Sequence, residues 1–181
     1  GPDEIQQGLQ DLAIQDCLIG HNIQGFDIPV IQKLYPDWKF GGMLRDTLIL
    51  SRLAHPDRKN EDWAAPDPAA LAPHLRGRHS LESWGYRLGL LKGDFAKDTD
   101  WQTYSEDMGK YCQQDVQVTI KLWEHLEALE LDPRSVQTEH EFSLILDRQM
   151  RNGFCFDTDA AANLYTKLVK RKDELEEELQ H

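Results

Sequence analysis

Apolar residues recur along this chain mostly at helical spacing, broken by two short extended runs and two polar excursions. Ile5, Leu9, Leu12 and Ala13 fall three or four apart, predicting an amphipathic helix over 3–16 with acids in its first turn. Cys17-Leu18-Ile19-Gly20 is too brief for a helix and predicts a buried strand. A polar turn through Asp27 then feeds a helix over 28–34, with Pro29 at its start and Pro36 beyond its end. Met43-Leu44-Arg45 predicts a second strand, and Asp46 caps a helix over 47–53. From His55 to Arg78 four prolines interrupt the pattern, predicting a long surface excursion that ends in Arg76-Gly77-Arg78-His79. Ser80 caps a helix over 81–88 that Gly89 ends, and a second loop runs through Asp98 and Trp101. Three more helices follow. The first spans Tyr104 to about Leu129, with Asp115 as its natural breaking point. The second spans Val136 to Met150, with Phe142, Ile145 and Leu146 facing inward. After an Asn152-Gly153 turn and an extended Phe154-Cys155-Phe156, Asp157 caps the last, whose tail mixes Lys and Arg with acids.

The helix after Tyr104 holds the most informative pattern. Met108, Tyr111, Cys112, Asp115, Thr119 and Leu122 form one stripe, apolar except at Asp115 and Thr119, while Glu106, Lys110, Gln113, Gln117 and Lys121 look outward. A carboxylate facing a core is costly unless a cation or hydrogen-bond donors meet it, and no Lys or Arg shares this face. Asp115 therefore reads either as a buried acid capped by neighbouring backbone or as a metal ligand with the Tyr111 hydroxyl beside it. Asp27 sits where a strand hands over to a helix, a position where α/β proteins gather their chemistry, and its bland reading is an N-cap.

Composition adjusts this picture. At 181 residues with 40% hydrophobic, the chain suits one globular domain or one domain and the start of another. It has no signal peptide and no run that could span a membrane, so a cytoplasmic location is expected. Its three cysteines share no Cys-x-x-Cys spacing and read as free thiols, and its seven histidines contain no His-x-x-x-His pair that would suggest zinc. A formal charge of −12 argues against simple electrostatic binding of nucleic acid. It does not argue against a nuclease, whose carboxylates hold the cations that meet the phosphate. Gly1-Pro2 reads as a cleavage scar left by a fusion tag.

Asn22-x-x-x-Phe26-Asp27 followed by Tyr111-x-x-x-Asp115 resembles the second and third motifs of the exonuclease superfamily that cuts nucleic acids with four acids and two metals. The tyrosine four places before the last acid is similar to the branch containing proofreading domains of family A DNA polymerases. Arg45 to Leu53, His79 to Gly89 and Arg151 to Thr158 further resemble the replicative polymerases of short-tailed coliphages, so the likeness covers Asp3 to about Leu179.

The resemblance implies an α/β, RNase H-like exonuclease fold, helix-rich, over 3–133, with 134–181 as connecting helices toward a polymerase domain in cis. It implies removal of nucleotides from a single-stranded DNA 3′ end or primer-template in the host bacterial cytoplasm. Asp27 and Asp115 match two of the metal-binding acids, and Tyr111 the residue that orients the attacking water. Two divalent cations, magnesium or manganese, are implied for the complete enzyme. Asn22, Phe26, Arg76, Arg78 and His79 are the candidate DNA contacts, since single strands are held by charge and stacking. The plain reading of the basic cluster is a solvated loop tip.

One departure matters. The family's first motif, Asp-x-Glu on the first strand, supplies the other two acids, and no Asp-x-Glu occurs here. The chain is therefore expected to begin after the first three strands, central strand included. The fold is then incomplete, this fragment need bind no metal, and it has little or no exonuclease activity alone. Its Cys17–Gly20 strand would expose an apolar edge that invites self-association. Readings of other classes are a non-catalytic DNA- or partner-binding domain that keeps the fold, and a related ribonuclease.

Overall fold

The computed structural model of the protein describes residues 2–67, 71–90 and 104–180, so the expected loop through Asp98 and Trp101 lies outside the described residues. The described chain divides into two compact units, Gly1–Asp147 and Arg148–His181. It is mostly helical, with a small parallel sheet.

In the first unit, α1 (Pro2–Ala13) leads into β1 (Cys17–Gly20), α2 (Asp27–Leu34) crosses over, and β2 (Met43–Asp46) pairs with β1 in parallel, Cys17 opposite Met43 and Gly20 opposite Asp46. Gly20 is small of necessity, because a Cβ there would lie 2.8 Å from that of Ile23 in the turn that follows. β1 is not the buried strand its composition predicts. Cys17 and Ile19 are exposed, because the sheet among the described residues has only these two strands to cover them. For the same reason the apolar face of α1 is only half covered, with Leu9 and Ala13 partly buried and Ile5 and Leu12 exposed.

The core lies where α3 (Thr47–Ala54), α5 (Leu81–Arg87), α6 (Glu106–Glu127) and the start of α7 (Pro133–Asn152) meet. Leu50, Trp84, Leu122, Leu126 and Val136 form its buried cluster. Each helix begins as its sequence dictates: Asp46 accepts from the Leu48 N–H, Ser80 from that of Ser83 and Ser105 from that of Met108. Gly89 takes a φ of +71° just after α5, the left-handed geometry that ends helices.

α6 runs unbroken through Asp115, and its buried line is Met108, Val118, Leu122 and Leu126. Tyr111, Asp115 and Thr119 are half-buried, whereas Cys112 is exposed, because it lies at the edge of the line that runs through Met108, Val118, Leu122 and Leu126. The expected outward residues are all exposed. Residues 55–78 are not a simple surface loop. They hold α4 (Arg58–Ala64) and a 3-10 turn, Pro73–Leu75, and they bury Asp62, Leu71 and Leu75. On α7 the buried positions are Val136 and His140, while Phe142, Ile145 and Leu146 are exposed, because no other described helix of the first unit covers that face.

The second unit holds the end of α7 and α8 (Thr158–Gln180), which Asp157 caps by accepting from the Ala160 N–H at 2.8 Å. Phe154 and Phe156 between them are exposed. No described helix is long and apolar enough to cross a membrane.

Candidate metal and nucleic-acid site

The turn between β1 and α2 carries the Asn22, Phe26 and Asp27 motif, and Asp46 at the end of β2 holds it. The Asp46 carboxylate is buried and accepts from the backbone N–H groups of Asn22 at 2.9 Å and Gln24 at 3.1 Å, as well as from Leu48 at 2.9 Å. Its own N–H donates to Nε2 of His140 at 2.9 Å, across 94 residues of sequence. Nδ1 of His140 lies 2.7 Å from the Val136 carbonyl, so His140 is the Nδ1–H tautomer with both nitrogens engaged. Asn22 adopts a φ of 63°, and its side-chain oxygen packs over Gly25, where a Cβ would lie 2.6 Å away and force that side chain to shift. This folded-back turn leaves Phe26 exposed as the N-cap residue of α2 and puts Asp27 in its first turn.

Asp27 is exposed as a residue, yet its carboxyl is withdrawn enough from water that its pKa is raised. Desolvation is the largest cause and the nearby Asp46 charge adds to it, against the lowering bond from its own backbone N–H. Across from it, the Oδ1 atom of Asp115 is shielded from solvent. Both acids line one cleft of about 470 Å³, walled largely by apolar residues such as Ile23, Ile28, Val116 and Trp123. Tyr111, one turn before Asp115 on α6, is half-buried and is not among the residues that line it.

The donor set is therefore two carboxylates from distant parts of the chain, with oxygen chemistry that suits magnesium or manganese. Among the described residues no group of three His, Cys, Asp or Glu could hold a metal ion. Two carboxylates do not by themselves fit a pair of divalent ions.

None of the three basic candidates lines this cleft. Arg76 lies over the ring of Trp63, 4.1 Å from its centroid, and donates from Nε to the Leu71 carbonyl at 3.2 Å, while Arg78 is exposed. His79 is half-buried with Nδ1 3.1 Å from the Ser51 hydroxyl. Desolvation, followed by the charges of Arg52, Arg87 and Arg58, brings its pKa down to about 4. It is neutral at pH 7 and adds no charge for a phosphate.

A second buried acid anchors the loop bearing these residues. Asp62 accepts from Nε of Arg87 at 2.9 Å, NH2 of Arg87 at 2.8 Å, Nε of Arg58 at 3.1 Å and the Gly77 N–H at 2.8 Å. Although burial opposes it, the Arg87 and Gly77 bonds and the Arg58 charge hold its pKa below the ordinary value. Sequence reading missed this cluster and the Asp46–His140 bond. Asp46 was visible only as a cap, and Asp62 carries no local signal beyond Arg58 four residues before it.

No family model matches the chain. Over 209 aligned positions covering 91% of it, the chain is 32% identical to the DNA-directed DNA polymerase of Escherichia phage T7. It is equally identical to that of Enterobacteria phage T3 over 87% of its length. The chain is a distant homologue of these phage DNA polymerases. It spans 29% of the T7 polymerase and 28% of the T3 polymerase, so the likeness concerns a minor part of each.

Proposed function

We propose that this chain is the 3′-to-5′ exonuclease, proofreading part of a phage-type DNA polymerase, with an RNase H-like fold. One observation carries the reading: Asp27 and Asp115, taken from two motifs far apart in sequence, line the same cleft. Their substrate is the 3′ end of a single DNA strand, and Asn22 and Phe26, which belong to the same turn as Asp27 but do not line the cleft, would contact it at its rim.

Asp27 and Asp115 would hold magnesium or manganese. When bound, such ions activate the attacking water and stabilise the leaving 3′ oxygen. The chain's own residues contribute the rest. Asp46 fixes the turn that bears Asp27, the apolar walls would exclude bulk water and strengthen charge interactions, and Tyr111, one turn from Asp115 on the same helix though not itself lining the cleft, would orient the water. The raised pKa of Asp27 marks a carboxylate that gains from a cation. A two-ion reaction needs further acids beyond the two in the cleft, so the 181-residue chain hydrolyses DNA weakly or not at all by itself.

The test is manganese titration by calorimetry in the wild type and in Asp27→Asn, Asp115→Asn and Asp107→Asn, the last an exposed control paired with Lys110. Each cleft substitution should weaken binding by roughly 10- to 100-fold or more, as changes around metal ligands do, and the control should not. Unchanged binding in both cleft variants would overturn the reading. The absence of a third acid among the described residues favours a second reading, a non-catalytic DNA-binding domain that keeps the fold. Tight DNA binding that ignores metal and both cleft substitutions would select it.

A further inference from the structure

One hydrogen-bonded path leads from α7 toward the cleft. Its first member is His140, 7% exposed and fixed at both ring nitrogens: Nδ1–H donates to the Val136 carbonyl at 2.7 Å, and Nε2 accepts the Asp46 N–H at 2.9 Å. Asp46 ends β2, and a buried amide that finds no acceptor within its sheet needs one elsewhere. His140 supplies it from a helix 94 residues away in sequence.

The Asp46 side chain carries the path onward. Oδ1 takes the N–H of Asn22, and Oδ2 takes that of Gln24. Thr47, wholly buried beside it, adds a second grip on the same turn, because its hydroxyl donates to the Gly20 carbonyl at 3.3 Å and lies 2.9 Å from Nδ1 of His21. The turn then sets the position of Asp27 through its two neighbours. The Phe26 N–H donates to the Asn22 carbonyl at 2.9 Å and the Ile28 N–H to the Ile23 carbonyl at 3.0 Å. Buried networks satisfied in this way rigidify what they hold.

We propose that His140 is a positioning residue for the acid cleft: through the Asp46 amide it fixes the turn that brings Asp27 to the cleft it shares with Asp115. It does not line that cleft, and it acts only through the bonds named. The two ring nitrogens have separate duties, Nδ1 tying the ring to its own helix and Nε2 reaching the end of β2. The inference rests on the reading that Asp27 and Asp115 bind a divalent ion, and it concerns what holds the ligands in place.

Two substitutions separate those duties. His140→Gln keeps an acceptor near the place of Nε2, whereas His140→Asn keeps a donor near that of Nδ1 and is too short to reach Asp46. In manganese titration of the full chain by calorimetry, His140→Gln should stay within about twofold of wild type and His140→Asn should bind roughly tenfold more weakly, the low end for partners behind metal ligands. Amide hydrogen exchange without metal should be faster at Asn22 and Gln24 in His140→Asn alone, and unchanged at Ser83, whose N–H is held by Ser80. A merely structural histidine would shift the urea midpoint without moving manganese affinity. Equal affinity in wild type and His140→Asn, with Asp27→Asn still weakening it, overturns the positioning role alone. Manganese binding that ignores Asp27→Asn and Asp115→Asn overturns the metal reading, and exchange at Asn22 and Gln24 then decides whether His140 fixes the turn. Should His140→Asn fail to fold, the wild type decides. Coupling is reciprocal, so magnesium must slow exchange of the Asp46 amide in wild type and not in Asp27→Asn, and exchange indifferent to magnesium overturns the proposal.

Discussion

Asp62 and Asp27 are both withdrawn from water, and their surroundings treat them in opposite ways. Asp62 receives two arginines and a backbone N–H, and its pKa is lowered; Asp27 lines an apolar cleft near the like charge of Asp46, and its pKa is raised. Asp46 belongs with Asp62, since its carboxylate accepts from three backbone N–H groups. A folded chain satisfies the acids it needs for architecture. Asp27, whose ionisation burial opposes, lines a cleft with a second acid, and that is the difference on which the proposed metal site rests.

The strongest way to break this contrast is to remove the architectural acids. Asp46→Ala should cost more than about 4 kcal/mol, because three N–H groups lose a charged acceptor and such bonds are each worth roughly 1.5 to 3 kcal/mol. Asp62→Asn should cost about 3 to 5 kcal/mol, since it leaves two arginines without their buried counter-charge. Asp27→Asn should be neutral or slightly stabilising when metal is absent, and should abolish any stabilisation by manganese. Urea denaturation at pH 7 reads all three, and a large loss at Asp27 would end the distinction.

The pH dependence should show the same opposition. Asp62 has a lowered folded pKa, so the stability it contributes is complete above the ordinary carboxylate pKa and is lost as pH falls through the depressed one. Asp27 has a raised folded pKa, so without metal its ionisation opposes folding as pH rises from the ordinary value through the raised one. Asp27→Asn should remove that loss of stability. His79 adds a further slope. Its folded pKa of about 4 lies below the ordinary 6.5, so the unfolded chain takes up a proton that the folded chain refuses, and stability should fall between those values as acid is added. His79→Asn, which keeps an amide near Ser51, should reduce that slope in denaturation curves from pH 4 to 6.5.

Much of the architecture was legible in short-range signals. Asp46, Ser80 and Asp157 announced their helices because a cap is a local bond, and Gly89 announced an end because a left-handed φ is a local demand. The motif residues Asp27 and Asp115 were legible as candidates through their placement, and the cleft that both line is the tertiary fact no spacing contains. What was hidden depends on distant partners. His140 offers no sign in sequence that its ring will meet the backbone of Asp46, and the excursion after His55 looked unstructured because α4 is held by an ion cluster and not by an apolar stripe. Periodicity also predicted burial at Cys112, which is exposed.

The smallest expected effect separates periodicity from packing. Phe142, Ile145 and Leu146 follow helical spacing as well as any core residue, yet they are 51%, 60% and 41% exposed, whereas Leu122 is wholly buried. Burial, not spacing, sets the cost of truncation, because the loss comes from apolar surface returned to water and from the cavity left behind. Leu122→Ala should therefore cost about 2 to 5 kcal/mol, while Phe142→Ser and Ile145→Ser should each fall within about 0.5 kcal/mol of wild type. If the two α7 substitutions cost as much as Leu122→Ala in urea denaturation, that helix face is covered in solution, and the contrast between a satisfied core and unsatisfied surfaces would have to be redrawn around it.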